Sequence, residues 1–148
     1  MSSPISLRSA HTLDEPKLEA LIEIMYLAAY ADGSFAPEER AHFSRSVQSL
    51  TDRKVTPEML DEIVSRLDAA RRAAGTAALI AGARATLGSA GACRVALNLA
   101  VGVIMADGKV TDAERTMLYE IGSALGLERS VTDGLLKDAQ VGQPSASS

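Results

Sequence analysis

Ala31-Asp32-Gly33-Ser34-Phe35-Ala36-Pro37-Glu38-Glu39-Arg40 returns 75 positions later as Ala106-Asp107-Gly108-Lys109-Val110-Thr111-Asp112-Ala113-Glu114-Arg115. Five of the ten aligned positions are identical: Ala, Asp, Gly, Glu and Arg. The apolar position after Gly-x is kept in kind, as Phe35 and Val110. Each copy follows an apolar helical run and precedes another. A repeat of this kind predicts two helical hairpins related by a pseudo-twofold, with their acidic turns in equivalent places.

Working outward, the flanking segments read as helices. Glu15 and Pro16 behind Asp14 form a helix start. Leu18, Leu21, Ile22, Met25 and Ala29 then fall on one helical stripe, with Glu19 and Glu23 off it. Pro37 starts a second helix that turns Phe43, Val47 and Leu50 inward. Thr56 caps a third, with Pro57 at its first position, and Met59, Leu60, Ile63, Val64 and Leu67 form its expected buried face. Gly75 closes that helix. The stretch from Thr76 to Gly91 is rich in Ala and Gly, and a short helix is expected near 76–86.

The segment from about Ala92 to Ala106 is apolar almost all round, so the sequence makes it the central helix. Thr111-Asp112-Ala113-Glu114 is a capping box that opens the next helix, which carries Met117, Leu118, Ile121, Ala124 and Leu125 on one face. Gly126 ends it, and a last short helix runs from Ser130 to about Asp138. No alternating strand pattern occurs. The fold class is therefore all-α: one domain over residues 13–139, a bundle of six to seven helices. A polar arm at 1–12 and a Gly/Pro/Ser-rich tail at 140–148 flank it.

Composition narrows the function classes. A chain of 148 residues buries about 70% of its unfolded surface as one domain, without cross-links. Cys93 is the single cysteine, so no intramolecular disulfide forms. The net charge of −4 argues against a nucleic-acid partner, and the adjacent Arg71 and Arg72 read as a solvated helix face. The longest uncharged run at the second hairpin, Val95 to Ala106, is too short to span a bilayer. No secretory leader is visible at residues 1–16, which favours the cytoplasm. His11 and His42 stand in no ligand spacing with Cys93. No serine lies in a nucleophile elbow, and no phosphate loop occurs.

The repeated turn reads in more than one way. Structurally, Gly33 and Gly108 stop a helix, Phe35 and Val110 tuck into the core, and Glu114 completes a cap worth about 1 kcal/mol. Asp32 and Asp107 resist that account, because an acid at a helix C-terminus opposes the dipole by about 0.3–1 kcal/mol. Asp-Gly-x-apolar-x-x-x-Glu also matches the later half of an EF-hand loop. The earlier half fails in both copies, where Ala28 and Tyr30, then Val103 and Met105, stand at ligand positions. A true EF-hand is rejected.

The duplicated pattern of apolar helix, Ala-Asp-Gly-x-apolar-x-x-x-Glu-Arg and second helix resembles the TerB family of tellurite-resistance proteins. It is also similar to the N-terminal part of a membrane-anchored DnaJ-like co-chaperone. The resemblance covers about residues 13–139. It implies an all-helical fold with internal twofold symmetry and a bacterial stress-response role. It implies partners that include a membrane protein and calcium-binding cytoplasmic proteins, and so a cytoplasmic protein that reaches the membrane through a partner. It further implies a divalent metal on acids of the two turns, which here are Asp32, Glu39, Asp107 and Glu114. Glu38 and Asp112 face Ala113 and Pro37, a departure from full symmetry. Hard oxygen ligands favour calcium or magnesium over zinc. The expected biochemistry is non-enzymatic protein–protein interaction. The alternative is an enzyme or redox detoxifier acting directly on tellurium oxyanions, for which the sequence shows no nucleophile or redox centre.

Overall fold

The computed structural model describes residues 15–31, 37–51, 55–105 and 110–141. Among them run seven helices: α1 Glu15–Ala29, α2 Pro37–Leu50, α3 Pro57–Ala74, α4 Thr76–Leu87, α5 Ala90–Met105, α6 Asp112–Ala124 and α7 Arg129–Val141. No strand occurs among the described residues. The all-α bundle expected from the sequence is the observed architecture. The last helix continues to Val141, past the expected end near Asp138. The arm at 1–12 and residues 142–148 of the tail lie outside the described residues.

Local chemistry fixes the helix ends. The Thr56 hydroxyl accepts the Met59 N–H at 3.1 Å, with Pro57 at the first helical position where its missing N–H is no loss. Gly75 alone separates α3 from α4. Its φ of 93° is a conformation that L side chains rarely adopt, and its N–H donates to the Arg71 carbonyl at 2.8 Å. At the end of α2 the fully buried Thr51 donates its hydroxyl to the Val47 carbonyl at 2.9 Å and accepts the Val55 N–H at 3.4 Å.

The centre of the bundle is α1. It packs most extensively against α5, then α4, and also touches α2, α3 and α6. From Ala20 to Ala29 every residue is buried except the half-buried Glu23. The sequence pattern placed α5 at the centre, and the structure corrects this. Ile24, Tyr26 and Leu27 lie off the counted stripe of α1 and are buried all the same. Ala20, Ala28 and Ala29 are small enough to let several helices approach. Helix α5 instead keeps a solvent side with Arg94, Val95 and Asn98, and Val95 is 48% exposed. Met59 is a second correction: it was expected in the core, but on the first turn of α3 it is 42% exposed, while Leu60 and Val64 face inward.

Helices α5, α6 and α7 meet at Gly122. A Cβ there would lie 2.5 Å from Thr132 Oγ1 and 3.4 Å from Leu97 Cδ2. Glycine is what lets α6 sit this close to both neighbours, with Leu97 and Thr132 buried against it.

The helix starts at 15 and 37 return at 90 and 112, the interval of the sequence motif. Helices α1 and α2 pack together, as do α5 and α6, and the pairs are crossed by contacts of α1 with α6 and α2 with α5.

Candidate functional site

The acidic turns lie where α1 hands over to α2 and where α5 hands over to α6. At the first, Tyr30 N–H donates to the Tyr26 carbonyl at 3.0 Å and Ala31 N–H to the Ala28 carbonyl at 3.2 Å, so helical bonding runs on to Ala31. Asp32, Gly33 and Phe35 then fall outside the described residues, as do Asp107 and Gly108. Glu39 lies in the first turn of α2, and its side chain is likewise outside the description.

Glu114 is the expected site residue whose surroundings are described. It is 8% exposed at the start of α6. The Thr111 hydroxyl accepts the Glu114 N–H at 3.1 Å, and Glu114 Oε1 accepts the Thr111 N–H at 2.9 Å. The capping box read from the sequence is thus formed in both directions. Val110 is partly buried against the core beside it, as expected. Among the described residues no three His, Cys, Asp or Glu side chains gather as a metal site.

A polar network that the sequence reading missed joins α1 to α3. The Tyr26 hydroxyl donates to Asp68 Oδ1 at 3.1 Å. Arg71 donates to Asp68 Oδ1 at 2.8 Å and, through Nε, to the Tyr26 oxygen at 3.5 Å. Its guanidinium lies 4.1 Å from the centroid of Tyr30, and that ring stacks on Tyr26 at 5.9 Å. Arg72 reaches the other carboxylate oxygen of Asp68 at 3.1 Å. The basic pair is therefore not a uniform solvated face. Arg72 is 72% exposed as expected, whereas Arg71 is 21% exposed and fixed on tyrosine. The signal was present as Asp68 three and four residues before the arginines and Tyr26 four before Tyr30, the spacings at which helix side chains meet. The network ends at Tyr30, two residues before Asp32.

Its electrostatics follow from its contacts. The Arg71 hydrogen bond, the Tyr26 hydroxyl and the nearby Arg72 charge hold the Asp68 carboxyl below the usual carboxylate range. Burial pushes the Tyr26 phenol up. A depressed folded-state pKa adds stability that is present above the unfolded value, near pH 4, and is lost as pH falls through the folded value. Acidification from pH 5 to pH 2 is therefore expected to lower the urea midpoint of the native chain more than that of Asp68→Asn. Parallel pH profiles of equal slope would contradict the role given to Asp68.

Cys93 is buried at 3% exposure in the first turn of α5, and burial pushes its thiol up. A buried thiol of this kind is the inert, packed sort of cysteine. The side chain of His42 accepts at Nδ1 from the guanidinium of Arg45 at 3.0 Å. A guanidinium has no acceptor, so the histidine must accept. Between α6 and α7 the Tyr119 hydroxyl donates to Asp133, and Arg129 lies over the Tyr119 ring at 4.0 Å. Among the described residues no helix is long and apolar enough to cross a membrane.

Comparison with protein-family models matches residues 18–135 to the family described as "Tellurite resistance protein TerB". No curated protein and no solved structure matches the chain.

Proposed function

As the chain belongs to the TerB family of tellurite-resistance proteins, we infer that it serves stress defence as a partner-binding module rather than an enzyme. A divalent cation held by Asp32, Glu39, Asp107 and Glu114 tunes that binding in this reading. The observation that carries it is the common interval of motif and helix starts. The two acidic turns recur in the sequence at 75 residues, the interval at which the helix starts flanking them also recur. Two half-loops related in this way can together offer four carboxylates to one ion, where a single half-loop offers too few for calcium's six to eight oxygens. Four carboxylates brought together there without a cation would raise one another's pKa, and a cation would relieve that repulsion. Calcium or magnesium suits these hard donors.

The partners are proteins of a tellurite and general stress system, among them a membrane protein, and the module works in the cytoplasm and reaches the membrane through that partner. Burial of Cys93 supports this reading over direct redox chemistry on tellurium oxyanions, which would need an accessible thiolate. The test is capture of partners from native-host membranes and cytosol on the immobilised full chain, with calcium or with EDTA. The expected result is a defined set of partners retained with calcium and reduced in EDTA. A set unchanged by EDTA would overturn the cation's role, and recovery of no specific partner would overturn the module.

A further inference from the structure

A second site follows from the unequal filling of the two halves. Ser44 of α2 and Tyr119 of α6 hold the same place in the repeat, 75 residues apart. Helices α3 and α7 correspond at an interval of 72, which takes Pro57 to Arg129 and Asp61 to Asp133. Burial keeps this register: Leu60 and Val64 are buried along α3 as Thr132 and Leu136 are along α7. In the second half the Tyr119 hydroxyl donates to Asp133, and Arg129 covers the ring at 4.0 Å. The ring thereby bridges α6 to the first turns of α7, and these two helices pack together. In the first half a serine stands where that ring begins, and α2 and α3 make no comparable packing among the described residues.

The place left open is a groove of about 340 Å³ between α2 and α3. Ser44, Pro57 and Asp61 line it, the counterparts of the three second-half residues that touch one another. Phe43, Leu60 and Val64, all buried, supply its apolar floor. Arg40 reaches Asp61 along the rim at 2.5 Å but uses Oδ1 alone, and Oδ2 has no partner among the described residues. We propose that this groove binds a tyrosine side chain of a partner protein. The ring takes the place that Tyr119 fills in the second half, and its hydroxyl donates to Asp61. The second half thus shows which occupant this helix pair accepts. A phenol joins an apolar body to one polar tip that needs a partner when buried, and the groove offers an apolar floor with a carboxylate at its edge. The volume lies at the low end of the range for ligand sites, about 300–1,000 Å³, which suits one ring rather than an extended ligand. Tyrosines seated in pockets of this kind are among the residues that dominate interface energies. The site gives the partner-binding reading a surface and rests on that reading for its use. It draws on none of the four acids of the turns, and ring binding is measured without the partner, so the two readings fail separately.

The test is an amide chemical-shift titration of the full chain with the blocked peptide acetyl-Ala-Ala-Tyr-Ala-Ala-amide, beside the same peptide with phenylalanine at its centre. Saturable shifts at Phe43, Ser44, Leu60 and Asp61 are expected with the tyrosine peptide. The phenylalanine peptide should bind there about tenfold more weakly, since it lacks one hydrogen bond to a charged group. Ser44→Tyr plugs the groove with the residue of the second half and should abolish binding, with the spectrum unchanged away from α2 and α3. Asp61→Ala, a change at an exposed position that leaves the fold intact, should bring the two peptides to equal affinity. Shifts that never saturate, binding that survives in Ser44→Tyr, or equal affinities for the two peptides in the native chain would overturn the site. Shifts at the same residues on concentrating the chain alone would also overturn it, showing a second copy to be the occupant.

Discussion

Leu97→Ala is expected to destabilise the protein by about 3 kcal/mol, within the 2–5 kcal/mol found for fully buried leucines. Leu97 is completely buried on α5, and its Cδ2 lies where a Cβ on Gly122 would touch it. The truncation removes apolar contacts at the junction of α5, α6 and α7 and opens a cavity. The neighbours cannot close it cheaply. Helix α6 is already held against Thr132 of α7 at its one glycine contact, and α5 is pinned along its length by α1. For a domain of this size the loss corresponds to a fall in Tm of roughly 6–12 °C. Val95→Ala on the same helix is the control. Val95 is 48% exposed, and a surface change of this kind shifts stability by less than about 0.5 kcal/mol. Urea unfolding of both variants checks the pair. Equal effects at Leu97 and Val95 would contradict the placement of α5.

Much of this architecture was legible because its signals are local. The Thr56 and Thr111 caps, Pro57, and the helix-ending glycines at 75 and 126 act within a few residues of themselves. The helices they delimit came out near their expected bounds. What pattern reading could not rank was centrality. Helices α1 and α5 are both strongly apolar, and what separates them is that α5 keeps a solvent side at Arg94, Val95 and Asn98 whereas α1 is buried almost all round. That depends on small residues such as Ala20 and Ala28 accepting close neighbours, a long-range property. Met59 failed for a similar reason. Periodicity places it on the apolar side of α3, but the neighbouring helices cover Leu60 of that first turn and leave Met59 exposed.

The sites divide in the same way. The capping box at Glu114 was visible because Thr111 and Glu114 are three residues apart. The Tyr26–Asp68–Arg71 network joins positions over forty residues apart, and only its two within-helix spacings could be seen beforehand. Arg71 looked solvated because sequence does not show that α3 lays it across the rings of α1.

The cation is the second large effect. A divalent ion at about 100 times its dissociation constant, binding only the folded chain, is expected to add roughly 2.7 kcal/mol of stability. That amounts to a rise in Tm of roughly 5–10 °C for a domain of this length. Asn in place of Asp keeps the shape of each turn and removes its negative charge, so the response should vanish in the variant carrying Asp32→Asn and Asp107→Asn. In EDTA the same variant should be at least as stable as the native chain, because like charges have been removed from the turns. Thermal unfolding of the native chain and this variant, in EDTA and in millimolar calcium or magnesium, is the most direct measurement. The account predicts a cation-dependent rise in Tm in the native chain alone. A native chain indifferent to both ions, or a variant that responds as strongly, would contradict it.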